Sequence, residues 1–152
     1  MIDVTEFPYL SADGVTCTSP FTPNYNCIAW AASDQSRWWE PDPWFLKYWP
    51  PTAPRQYTLQ AYQSAFHSLG YYVCCDGLHH VGVEKIAIYM KLGQPSHAAR
   101  QLQSGKWTSK LGNFVDVRHD TPHGVEGPGY GSVALYMCRP MRAVIAPPAC
   151  PT

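Results

Sequence analysis

From Glu84 onward the chain alternates with period two, and this constrains its fold more than any other feature. Ile86, Ile88 and Met90 alternate with Lys85, Ala87 and Tyr89, which is the spacing of a strand with two different faces. Gly93-Gln94-Pro95 predicts a turn. Ser96–Leu102 is a second strand, with His97, Ala99 and Gln101 on one face. Ser104-Gly105 turns the chain into a third strand, Trp107–Leu111, and Asn113–Arg118 is a fourth. Gly124–Gly131 is glycine-rich but lacks the lysine and Ser/Thr of a phosphate loop, so it reads as a turn. It leads into Ser132–Cys138, where Val133, Leu135 and Met137 alternate with Ala134, Tyr136 and Cys138. Short connections between such strands imply an antiparallel meander.

The first half reads differently. Residues 1–23 contain Pro8, Gly14, Pro20 and Pro23 and are expected to form an irregular arm. Residues 25–33 predict a short helix capped by Asn24 or Asn26, with Cys27, Trp30 and Ala31 on one face. Residues 38–49 hold Trp38, Trp39, Trp44 and Trp49, broken by prolines, so no regular helix fits. This is a loop pinned by its aromatics: a buried staple, or one wall of a cleft. Thr58–Leu69 predicts a helix, with Leu59, Tyr62, Phe66 and Leu69 on one face, Thr58 as cap and Gly70 as stop. Tyr71–Cys74 predicts a short strand and residues 75–82 a turn. The expected architecture is α+β, a cysteine helix packed on an antiparallel sheet of about five strands. Residues 1–23 form the arm, 24–140 a single domain and 141–152 a tail that frays around Pro147-Pro148.

Composition narrows the function. Apolar residues make up 45% and charged residues 14%, which excludes a disordered chain. The formal net charge of zero gives no basic signal for nucleic acid. No apolar run reaches the roughly 20 residues of a membrane span. Met1–Glu6 lacks the basic start and apolar stretch of a signal peptide, so the expected location is cytoplasmic, or outside the cell through a signal-less secretion machine. The six cysteines (17, 27, 74, 75, 138 and 150) are then expected as free thiols. Cys74, Cys75, His79 and His80 have ligand chemistry, but adjacent ligands strain a tetrahedral zinc site, so a polar turn is expected and no metal.

Cys27 stands at a helix start, where the backbone N–H groups favour a thiolate. A cysteine hydrolase also needs an imidazole within reach and a polar group to orient it. His97, beside Ser96, Ala98 and Ala99, is the candidate base. Asp116, one hairpin and one strand later, is the candidate orienting group, with His119 next. The plain alternatives are a buried thiol acting as a small hydrophobe, a satisfied strand histidine and a turn-capping aspartate.

The block Asn26-Cys27-Ile28-Ala29-Trp30-Ala31 with the tryptophan-rich loop resembles the nucleophile helix of the papain-like superfamily, in particular the NlpC-type peptidases. The runs Ser96–Leu102, Gly105–Gly112 and Val115–His119, with Tyr130-Gly131-Ser132-Val133, resemble an uncharacterised bacterial group sharing N-C-x-A-W and H-A-A-R-Q-L…W-T-S-K-L-G motifs. The resemblance covers roughly residues 24–139 and implies an NlpC-type fold and a hydrolase without cofactor. Cys27 would attack an amide, ester or thioester, His97 would act as base, and Asp116 or His119 would complete the triad. The third NlpC-type residue is commonly His, which favours His119. The upstream glutamine of papain-like peptidases is missing, since Phe21 stands at that spacing, so the oxyanion would fall to the Cys27 N–H with Tyr25 or Asn26. Tyr25, Asn26, Trp30, Trp38, Trp39 and Trp107 are expected to contact a peptide or amide substrate. The alternatives are a non-catalytic module that presents its Trp-rich loop to a protein partner, or an accessory protein of an effector.

Overall fold

The computed structural model describes residues 5–10, 12–20, 22–111 and 115–141. Seven strands form one antiparallel sheet: β1 (Thr16–Ser19), β2 (Tyr72–Cys74), β3 (Val83–Lys91), β4 (Gln94–Gln101), β5 (Trp107–Lys110), β6 (Asp116–His119) and β7 (Ser132–Pro140). Their spatial order is β1-β6-β5-β4-β3-β7-β2. Among the described residues only two short α-helices accompany them, α1 (Cys27–Ala31) and α2 (Leu59–His67). The domain is therefore predominantly β. This corrects the expected α+β, NlpC-type arrangement of a helix on about five strands. Two causes are visible. Both expected helices are shorter than their sequence patterns suggest, five residues against 25–33 and nine against 58–69. The N-terminal segment also supplies a strand: β1 pairs with β6 at the sheet edge, Thr16 opposite Arg118 and Cys17 opposite Val117. Residues 142–152 of the expected tail lie outside the described residues, as do residues 113–114 of the expected fourth strand.

The local rules hold element by element. Leu92 (φ 51°) and Gly93 (φ 79°) both have positive φ and join Lys91 to Gln94 in a two-residue turn whose twist suits a hairpin. The turn is thus one residue earlier than Gly93-Gln94-Pro95 suggests, and Gln94 already belongs to β4. Thr58 caps α2 by accepting the Ala61 N–H at 3.2 Å, a bond worth about 1 kcal/mol. Gly131 (φ 73°) lies against β3, and a Cβ there would fall 1.9 Å from the Met90 carbonyl oxygen.

Both faces of the sheet are covered. Ile86, Ile88, Ala98 and Met137 point to one side, where α1, α2, Trp39 and Trp49 pack on them. Ala87, Tyr89, Ala99, Trp107 and Val117 point to the other, under Leu10 and Val125. The second cover comes from the N-terminal segment and the 3-10 turn Pro122–Val125. No helix among the described residues is long and apolar enough to cross a membrane.

Candidate functional site

Asn26 caps α1 and does more than cap it. Its Oδ1 accepts the N–H groups of Ala29 (3.2 Å) and Trp39 (3.0 Å), and its Nδ2 donates to the Trp39 carbonyl (2.7 Å). One side chain thus caps α1 and ties it to the tryptophan-rich segment. Cys27 follows at the first helical position and is buried against the backbone of Ala98 on β4. Burial pushes its thiol up to about 11, against the opposing pull of the Ala98, Ile28 and Cys27 N–H groups and the Lys110 ammonium. At neutral pH Cys27 is a thiol, not a thiolate.

Alternate residues of a strand point to opposite faces, and this separates the sequence-predicted set. Ala98 faces α1, so His97 faces away. The His97 ring lies parallel to Tyr130, centroids 3.9 Å apart, and meets the edge of Tyr89. His119 is on that far side as well, opposite Trp107 in the β5–β6 register. Of the four expected catalytic residues, Asp116 alone shares a face with Cys27. The Tyr25 hydroxyl donates to Asp116 Oδ2 at 2.6 Å, and the Ser19 hydroxyl donates to the same oxygen. Tyr25 in turn stacks on Trp30, with the Lys110 ammonium 4.8 Å from its ring centroid. The helix-side cluster is therefore Cys27, Lys110, Asp116 and Tyr25. Burial lowers the Lys110 pKa, while Asp116 and Cys27 act to raise it.

Ser109 organises the far side. Its hydroxyl lies 3.0 Å from His97 Nε2 and 2.8 Å from His119 Nε2, and His119 Nδ1 lies 2.6 Å from the Thr121 carbonyl. A carbonyl only accepts, so His119 Nδ1 carries the proton. Neutral His119 then accepts at Nε2 from the Ser109 O–H, and Ser109 accepts from His97 Nε2–H. The chain ends at His97 Nδ1, a buried nitrogen with no partner among the described residues. Burial, with His119 nearby, holds the His97 pKa well below the usual imidazole value, and burial lowers His119 too.

Lys110 and Ser109 were absent from the expected site. Period two carried through Trp107-Thr108-Ser109-Lys110 would have placed them on opposite faces of β5. The expected substrate contacts are used internally. Trp30 Nε1 donates to Thr108 Oγ1 (3.0 Å), Trp39 Nε1 to Asp34 Oδ2 (2.8 Å) and Trp38 Nε1 to Glu40 Oε1 (3.3 Å). Trp107 is buried in the far-side core. Two open clefts of about 330 Å³ are lined by His123 and Glu126, and neither is lined by Cys27. Around Cys74 and Cys75 one thiol is half-buried and donates to the Asp76 carbonyl at 3.6 Å, while the other is exposed.

The tryptophan-rich segment contains the largest run of exposed apolar side chains among the described residues. Its ends meet where Trp39 and Tyr48 bridge, and the Glu40 N–H donates to the Tyr48 carbonyl at 2.9 Å. Between them Pro43–Lys47 stand out of the surface, and Trp44, Phe45 and Leu46 are 76%, 75% and 79% exposed. Asp42, buried beneath, holds this tip. Its Oδ2 accepts the N–H of Leu46 (2.8 Å), and its Oδ1 accepts both the N–H of Lys47 (3.0 Å) and the Arg55 guanidinium (2.9 Å). Burial acts to raise the Asp42 pKa, but these donors outweigh it and hold it below the usual carboxylate value. Phe45 keeps a positive φ of 58°, an uncommon state for a large residue, under the Arg55 guanidinium at 4.4 Å from its ring centroid.

These features define a class: an antiparallel sheet domain, capped by a short helix over a buried thiol, that projects one anchored aromatic loop. Within it, the chain belongs to the DUF7689 family, a domain of unknown function whose model matches residues 16–138. That match starts at the first residue of β1, so the edge strand falls inside the family's unit. No curated protein and no solved structure matches the chain.

Proposed function

We propose that this domain is a binding module whose contact element is the loop from Trp39 to Tyr48. The observation that carries the reading is the tip Trp44-Phe45-Leu46, three adjacent large apolar side chains exposed on a loop whose base is fixed by Asp42 and Arg55. Exposing such a run and holding it rigid has a cost in free energy that a contact role offsets. The placement of Cys27 and His97 on opposite faces also favours binding over acyl transfer.

The test is a photo-reactive benzoyl-phenylalanine placed at Phe45 in the cells that make the protein. Adducts at Phe45 are expected, with none from the same group at Leu92, which is 94% exposed in the β3–β4 turn. Equal labelling from both positions, or none from either, would sink the reading.

A second reading, a cysteine hydrolase acting on an amide or ester, keeps one support: the Cys27 sulfur sits beside backbone N–H donors and the Lys110 ammonium. It requires the helix start to open and a base other than His97. A burst of acyl-enzyme on Cys27 with an activated ester, lost in Lys110→Met, would favour it over the binding reading.

A further inference from the structure

The loop tip can be matched to a kind of partner from its shape, its backbone and its charge. Resting on the binding-module reading, we propose that Trp44, Phe45 and Leu46 dock the domain on a lipid bilayer surface by inserting into its interfacial zone. The tip is short, because only residues 43–47 are exposed between the bridged Trp39 and Tyr48. Three side chains of this size expose roughly 400–500 Å². That falls short of the about 800 Å² per partner of a stable protein interface, which argues against a second copy of the chain. A bilayer needs no complementary pocket, and tryptophan and phenylalanine partition well at its interface.

The backbone of the tip is also prepared for an apolar medium. Unsatisfied N–H groups are what keep irregular loops out of lipid. Here the N–H groups of Phe45, Leu46 and Lys47 all donate to Asp42, the first to its carbonyl and the other two to its carboxylate. Arg55 donates to the Asp42 and Lys47 carbonyls. Three of the backbone donors of the tip, those of Phe45, Leu46 and Lys47, thus point toward the protein.

Charge fits an anionic headgroup layer. Lys47 is the one charged side chain in the exposed run, and it makes no ion pair among the described residues. The nearby carboxylates each have donors of their own: Asp34 from Arg37 and Trp39, Glu40 from Trp38 and Tyr57, and the buried Asp42 from the tip itself. The Lys47 ammonium lies 5.5 Å from the Trp38 ring centroid and leaves its charge available to an anionic headgroup beside the tip.

The experiment is co-sedimentation of the full chain with vesicles of phosphatidylcholine alone or mixed with phosphatidylglycerol, with tryptophan emission read in brominated-chain lipid. Wild type is expected to sediment with both and more with the anionic mixture. Brominated chains should quench its emission, and Trp44→Phe should remove most of that quenching while binding persists. The triple variant Trp44→Asp, Phe45→Asp, Leu46→Asp should bind roughly tenfold or more weakly, since affinity follows the buried apolar area. Lys47→Glu should remove the preference for anionic vesicles and leave binding to phosphatidylcholine in place. All of these substitutions lie on exposed side chains, and an unchanged near-ultraviolet circular dichroism spectrum verifies the fold. Wild type left in the supernatant on both vesicles, or a triple variant that binds as well as wild type, overturns the proposal. If vesicles fail while benzoyl-phenylalanine at Phe45 captures a protein, the lipid assignment falls and the binding-module reading stands. If both fail, both fall.

Discussion

The two faces of the sheet carry buried polar clusters made by neighbouring residues of the same strands, and they differ in kind. Under α1 the cluster is charged: the Lys110 ammonium, the Asp116 carboxylate, the Tyr25 hydroxyl and the Cys27 thiol. On the far face it is a neutral relay of His97, Ser109 and His119 with one proton order. A step of one residue along β4, β5 or β6 moves a side chain from one system to the other. Charged groups out of water need partners, which the helix side supplies by packing Tyr25 and Ser19 onto Asp116. Neutral imidazoles need only one donor and one acceptor each, and Ser109 serves two of them. Nearness in sequence therefore says little about shared chemistry when the chain is a strand.

The largest disturbance should come from the charged side. Asp116→Ala leaves the Lys110 charge buried and Tyr25 without its acceptor, and a loss of about 3–5 kcal/mol is expected in denaturant unfolding. A loss below about 1 kcal/mol would show that the charged cluster is not energetically coupled. Ser109→Ala strips a partner from both His97 and His119, with an expected loss of about 1–3 kcal/mol. If Ser109→Ala proved as costly as Asp116→Ala, the distinction between a charged and a neutral cluster would fail.

The far face should also dominate the response to mild acid. Both imidazoles have folded pKa values below the unfolded one near 6.5, so the unfolded chain takes up protons first as pH falls. Their contribution is complete above about pH 6.5 and is lost downward toward the folded values, at up to about 1.4 kcal/mol per pH unit for each imidazole. His97→Phe should flatten part of that slope. An unchanged slope in unfolding measured from pH 7 to pH 5 would contradict the relay as described.

The smallest effect tests the separation directly. Iodoacetamide modification of Cys27 should follow a thiol titrating at about 11. His97→Phe should leave that profile where it is, because the ring lies across the sheet. Lys110→Met should move it upward, because the ammonium favours the thiolate. The opposite pattern would place His97, not Lys110, in contact with the sulfur.

How much of this was legible in the chain varies by region. The helix over residues 59–67 with its Thr58 cap, and the hairpin through Ser104-Gly105, follow from local spacing and turn chemistry. Strand β1 did not show, because Pro20 and several Ser and Thr residues mask a four-residue edge strand whose partners lie about a hundred residues away. The candidate site was legible as a set of residues but not as an arrangement. His97 reads as a base beside small residues that let a helix approach, and it is Ala98 that receives the helix.

By itself the sequence determined the strands from Glu84 onward, the second helix with its Thr58 cap and the presence of an irregular aromatic loop, because dihedral preference, turn residues and apolar period act over a few residues. Only the tertiary structure decided which face each strand residue serves, where the edge strand docks, and that Asp42 and Arg55 hold Trp44, Phe45 and Leu46 outward. Those outcomes depend on register, where a shift of one residue exchanges the two faces, and on contacts between segments far apart in the chain.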